Sequence, residues 1–91
     1  MIREQIIQSI KKILSENKIT KASLFGSFAR NENEFNDIDI LIETNSLSLF
    51  DILKMENEIQ KSVHAKIDIV EFRSLKSSVR NQVLNESVSL L

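Results

Sequence analysis

The chain has no cysteine and no proline, and its 91 residues include a single glycine. Without cysteine, disulfides and thiolate metal sites are excluded, and a reducing cytoplasm is the default location. No stretch is long and apolar enough to span a bilayer. The opening residues, MIREQIIQSIKKIL, are broken by charge every few positions and lack the apolar core of a signal peptide. Nor does charge of one sign prevail. Twelve basic residues against thirteen acidic ones leave a formal net charge of −1. Bulk electrostatics therefore gives no case for nucleic-acid or anionic-membrane binding. The 42% hydrophobic and 27% charged content is ordinary for a globular protein, and the length suits one domain over residues 1–91.

What is present is patterned. Ile2, Ile6, Ile7, Ile10, Ile13 and Leu14 recur at helical spacing, so residues 2–17 read as an amphipathic helix. KASLF reads as a short strand ending at Gly26, SFARNE as a short helix from Ser27, and NENEFN as a loop. DIDILIE alternates strictly, with Ile38, Ile40 and Ile42 on one face and Asp37, Asp39 and Leu41 on the other. Asn45 and Ser46 are candidate caps for a second long helix, whose apolar face is Leu49, Ile52, Met55, Ile59 and Val63. KIDIVEF is a third strand, with Asp68 facing away from Ile67 and Ile69. Ser74 is a candidate cap for a last helix that turns Leu75, Val79 and Val83 inward. The expectation is an α+β domain: one small mixed sheet with its helices packed against it.

The acidic strand residues ask for an explanation. Asp37 and Asp39 share a face with Cα atoms roughly 6.5 Å apart. Two ionised carboxylates about 5 Å apart repel by roughly 3 kcal/mol at an effective dielectric of ~20. That is a large share of a small domain's stability, commonly about 5–15 kcal/mol. A divalent cation between the oxygens reverses the sign, and hard cations such as Mg²⁺ prefer such ligands. If the two strands pair, Asp68 brings a third carboxylate to the same patch, and three can hold two metals for in-line displacement at phosphorus. The alternative is the solvated face of a one-sided sheet. Gly26, eleven residues before Asp37, would let a ligand approach the backbone. The amides after it, the Ser27 hydroxyl and the helix dipole could then meet phosphate oxygens. The alternative there is a plain turn glycine with Ser27 as N-cap. His64 reads as a surface residue.

Taken together, LFGSFAR, NDIDILIE and KIDIVEF resemble the minimal nucleotidyltransferases of the DNA polymerase beta superfamily. Their signature is G-S-x-A-R-G, a variable loop, S-D-I-D-L, and a later strand with a third acidic residue. The resemblance covers roughly residues 19 to 90, including the final LKSSVRNQVLNESVSLL. It implies that Asp37 and Asp39 bind two Mg²⁺ ions, and that Asp68 binds the catalytic metal and helps activate the acceptor hydroxyl. It further implies that Gly26 and Ser27 hold the terminal phosphates of ATP or another nucleoside triphosphate. Arg30 matches the motif arginine, either touching phosphate or pinning the loop to the sheet. Two positions depart from the signature. Asn31 replaces the second glycine and Asn36 the serine. Asn tolerates positive φ and can still bond a neighbouring amide, and neither change removes a metal ligand.

Larger members of the superfamily carry extra domains that hold base and acceptor, for which this chain has little room. The resemblance therefore implies a second polypeptide that completes the site or is itself the substrate. Minimal members are often paired with a helical toxin of the HEPN class and act as its antitoxin, some by transferring AMP to a toxin tyrosine. Two other readings stand beside this one: transfer to a small molecule such as an aminoglycoside, and a non-catalytic antitoxin that inhibits by contact. The apolar end of VLNESVSLL is either a final strand or cap on the chain's own core, or an interface with a partner or a second copy.

Overall fold

Alternation in the two isoleucine-rich segments decides where the sheet buries its weight. The computed structural model describes residues 2–30, 37–44 and 46–91. Along the chain come α1 (Arg3–Glu16), β1 (Ala22–Phe25), α2 (Gly26–Ala29), β2 (Asp37–Ile42), α3 (Leu49–Val63) and β3 (Lys66–Glu71). A 3₁₀ turn (Phe72–Ser74), α4 (Ser77–Glu86) and β4 (Val88–Ser89) follow. The expected loop NENEFN, with Asn31 and Asn36, and the candidate cap Asn45 lie outside the described residues.

The strands form one mixed sheet in the order β3-β2-β1-β4. β1 runs antiparallel to β2 and to β4, whereas β2 and β3 are parallel and joined through α3. A parallel pair needs such a crossover, because a tight hairpin cannot reverse the chain twice. Ile38, Ile40 and Ile42 of β2 are fully buried, and Ile67 and Ile69 of β3 line up beside Ile38 and Ile40. They join Ile6, Ile10, Ile13 and Leu14 of α1 and Ile52, Met55, Ile59 and Val63 of α3 in one apolar core. Each such side chain contributes roughly 1.5–3 kcal/mol when fully buried. Leu41 points to the other face and is buried apart from that cluster. The fold is α+β, as the pattern indicates.

Helix ends account for most differences from the sequence reading. α3 begins at Leu49, not after Asn45 or Ser46, because Ser48 and Asp51 form a reciprocal cap. The Asp51 amide donates to the Ser48 hydroxyl at 3.2 Å, and the Ser48 amide donates to Asp51 Oδ2 at 3.0 Å. This S-x-x-D box satisfies two amides that the first helical turn leaves without partners. The Ser48 amide first, and then the Ser48 hydroxyl, which donates to Asp51 Oδ2 at 2.9 Å, hold the Asp51 carboxyl below its usual range. Its contribution to stability is therefore present above the ordinary carboxylate pKa and is lost as pH falls through the lowered value. With the helix starting there, Leu49 is 72% exposed instead of joining the apolar face. Ser48→Ala is expected to destabilise the fold by about 1 kcal/mol, read as a lower urea midpoint at unchanged m-value.

Two further expectations are corrected. Ile2 stands outside α1 as an exposed N-terminal flank, its amide donating to Gln5 Oε1 at 3.1 Å. Ser74 does not cap α4, which starts at Ser77 after Lys76, and no α4 residue is buried. Val79 is exposed, while Leu75 and Val83 are half-buried. Three apolar residues in ten are too few to form a stripe. The chain end fills the core instead: β4 pairs with β1, the Leu90 amide donates to the Ala22 carbonyl at 2.8 Å, and Leu90 is buried. The apolar terminus thus folds onto its own domain.

Candidate active site

Strand register brings the three aspartates to one face. In the parallel β2–β3 pair, Asp39 lies opposite Asp68 and Asp37 opposite Lys66. Their isoleucine neighbours point into the core, so all four polar side chains point away from it. Asp37 and Asp39 are half-buried and Asp68 is exposed. Burial first, then the charges of Asp68 and Asp37, push the Asp39 carboxyl above its usual range, and the Arg30 guanidinium offsets part of this. Lys66 Nζ stands 4.0 Å from Asp37 Oδ2, an exposed pair of small energetic weight.

Among the described residues, no three His, Cys, Asp or Glu side chains are gathered closely enough to hold a metal ion. The three aspartates share one face of the sheet, with Asp39 and Asp68 at the same register position.

The glycine turn sits directly on this face. Phe25, at the end of β1, is registered against Asp39, and Gly26 follows it with φ +74°. A Cβ at Gly26 would overlap Asp39 Oδ2 and stand 3.3 Å from its Cγ. Both the left-handed backbone and the contact therefore favour glycine. The turn continues into α2, whose N-cap position is Phe25 with no side-chain cap bond, so Ser27 is not its N-cap. α2 is four residues long, and its dipole is correspondingly short. Any anion binding here would rest on the individual amides and the half-buried Ser27. Arg30 closes the turn, its amide donating to the Gly26 carbonyl at 3.1 Å.

The sequence reading missed a residue that secures this turn. Arg3, on α1, donates from Nη1 to the Phe28 carbonyl at 2.6 Å, with its guanidinium 4.2 Å from the Phe28 ring centroid. It thereby ties α1 to the C-terminal end of α2. A lone arginine in the first turn of an amphipathic helix carries no sequence signal of such a contact. His64 is exposed at the C-terminus of α3, where it adopts a left-handed conformation with φ 56° and has no place at the carboxylate face.

A tight glycine turn resting on a D-x-D strand, with a third aspartate in register on a parallel neighbour, marks the class as nucleotidyltransferase. The family model described as polymerase beta, nucleotidyltransferase matches residues 8–91. The chain belongs to that family and is an enzyme of the nucleotidyltransferase class. It is 35% identical over 89 residues to "Putative protein adenylyltransferase MJ0435" of Methanocaldococcus jannaschii, covering 96% of each chain. It is 33% identical over 88 residues to protein adenylyltransferase MntA of Thermococcus cleftensis, covering 93% of this chain and 89% of that one. Among solved structures, a toxin–antitoxin crystal structure with AMP-PNP superposes with a TM-score of 0.82 at 25% identity. The match covers 93% of this chain and 72% of that one.

Proposed function

We propose that this chain transfers a nucleoside monophosphate, AMP from ATP, to a hydroxyl of a partner protein. In this reading residues 1–91 act as one domain in the cytoplasm, as antitoxin to a helical toxin of the HEPN class. The observation that carries the proposal is the Asp39–Asp68 register pair lying against the Gly26 turn. The relatives named for protein adenylylation and the toxin–antitoxin structure with AMP-PNP support the acceptor class and the nucleotide.

The donor set fits Mg²⁺ in its chemistry. All three candidate ligands are hard carboxylate oxygens on one face, and Asp39 is held above its usual pKa first by burial and then by the charges of Asp68 and Asp37, a repulsion that a cation would relieve. Asp37, Asp39 and Asp68 would hold the two metal ions. Bound there, the ions would neutralise charge developing on the phosphates. The chain's own residues supply the rest. Backbone amides after Gly26 and the Ser27 hydroxyl would take the terminal phosphates, with Arg3 fixing the turn through the Phe28 carbonyl. Arg30 is exposed beside Asp39 and is assigned first to the shape and charge of the turn. The acceptor oxygen would form its bond to the α-phosphorus as the bond to the bridging oxygen breaks and pyrophosphate leaves. The acceptor's proton would pass to the Asp68 carboxylate, which is open to solvent. Positioning and electrostatics carry such a reaction.

The test uses α-labelled ATP with Mg²⁺ and three candidate acceptors: the product of an adjacent gene encoding a short helical protein, an aminoglycoside, and the chain itself. Label on a tyrosine of the helical protein is the expected result. It should be lost in the Asp37→Asn/Asp39→Asn double variant while circular dichroism is unchanged. Label on the aminoglycoside alone would shift the assignment to small-molecule transfer. A folded chain that binds and silences the helical protein without labelling it would establish the non-catalytic reading.

A further inference from the structure

The third aspartate lies on the outermost strand of the sheet, where register is least secured. β3 has a strand partner on one side only, β2. Its outward amides include those of Ile67 and Ile69, the two residues flanking Asp68. Neither is left open. The Ile69 amide donates to Glu56 Oε2 at 2.7 Å and the Ile67 amide donates to Gln60 Oε1 at 3.0 Å. Both acceptors come from α3, are half-buried, and are four residues apart.

The spacing explains how a helix can serve a strand in this way. Four helical residues rise about 6 Å, and two strand residues advance about 6.6 Å. One helix face can therefore present an acceptor to each successive outward amide of an edge strand. The match here gives two rungs, centred on Asp68. Ile52, the next residue up the same face of α3, is apolar and buried in the core, so the ladder has no third rung there. Glu56 is suited to the shorter contact because a carboxylate only accepts, and charge-assisted bonds are short and strong.

We infer that Glu56 and Gln60 are positioning residues for the transferase, fixing the register and depth of Asp68 by holding β3 along its free edge. The inference deepens the proposed site and rests on Asp68 belonging to it. Its physical basis is that a carboxylate on an edge strand is only as well placed as the backbone beneath it. A misplacement of about 1 Å can cost on the order of 100-fold in rate. The helix that supplies the crossover between β2 and β3 also locks the second of those strands in place.

Glu56→Ala, Glu56→Gln and Gln60→Ala test it, read by amide hydrogen exchange and by steady-state transfer with ATP. In Glu56→Ala the Ile69 amide should exchange at least about tenfold faster relative to Ile40 in the sheet centre. The same variant, while folded, should lose about 10- to 100-fold in kcat with KM for ATP nearly unchanged. Glu56→Gln keeps an acceptor at the same place and should restore both. If Glu56→Ala does not fold, Gln60→Ala is read in the same way at Ile67. Unchanged exchange at Ile67 and Ile69 would overturn the inference. So would a kcat near wild type in Glu56→Ala, or a loss that Glu56→Gln fails to repair. Should the wild-type chain transfer nothing to any acceptor, the proposed function fails, and the exchange data alone decide whether the clamp exists.

Discussion

Asp39→Asn should make the protein more stable and nearly inactive. Asp39 is the most strained carboxylate of the face: burial, Asp68 and Asp37 all raise its pKa, and Arg30 offsets only part. A group whose folded pKa is raised stabilises the fold fully below its unfolded pKa, and that stability is lost as pH rises through the folded value. Once pH has risen through that folded value the ionised Asp39 is therefore a liability, which the neutral amide removes at nearly constant shape. Asp39 is only half-buried, so screening cuts the roughly 3 kcal/mol of an unscreened pair to a gain of about 1 kcal/mol at pH 7. The gain should shrink towards zero near pH 3, where wild-type Asp39 is itself protonated. Transfer should fall by about 1,000-fold or more, the scale expected when charge stabilisation at a phosphoryl centre is removed. Millimolar Mg²⁺ should raise the wild-type melting temperature and leave Asp39→Asn much less affected, since a cation that binds only the folded state stabilises it. Denaturant titrations at pH 3, 5 and 7, with and without Mg²⁺, check all of this. A variant less stable than wild type at pH 7 would contradict the account of the face as a cluster under repulsion.

The sequence made that face visible through two short alternations, DIDILI and KIDIVE. In each, isoleucine alternates with a charged residue, and burial of the isoleucines leaves the aspartates a single side to occupy. The same logic fails for α4, where Val79, Val83 and Leu84 form no continuous stripe and the helix buries nothing. It fails also for β4, a two-residue strand held to β1 by backbone pairing, for which side-chain periodicity has no room to appear. The α3 start was displaced because Asn45, Ser46 and Ser48 are all capable caps. Only the last has an aspartate three residues on to complete the box. Two restraints on the site were hidden for a different reason. Arg3 reaches Phe28 across 25 residues, and Glu56 reaches Ile69 across 13. Contacts of that kind depend on how helices settle against the sheet, and no local pattern encodes them.

Gly26→Ala should disable the enzyme through Asp39 without replacing any candidate metal ligand. At φ +74° an alanine meets the ordinary left-handed penalty of about 1–2 kcal/mol. The new methyl would also occupy the space of Asp39 Oδ2. That oxygen is the free end of a short side chain, so the carboxylate can rotate away and the fold can survive. A rotated Asp39 no longer stands beside Asp68 as the site requires, and a loss of about 100-fold in transfer follows from a displacement of that size. The two effects separate in a double-mutant cycle. In an Asp39→Ala background the overlap is gone, so Gly26→Ala should cost only its backbone penalty. The difference between the two backgrounds measures the steric coupling. A coupling indistinguishable from zero would show that Gly26 serves the turn alone. Coupling of about 1 kcal/mol or more would show that the chain's one glycine is kept to leave room for the carboxylate beside it.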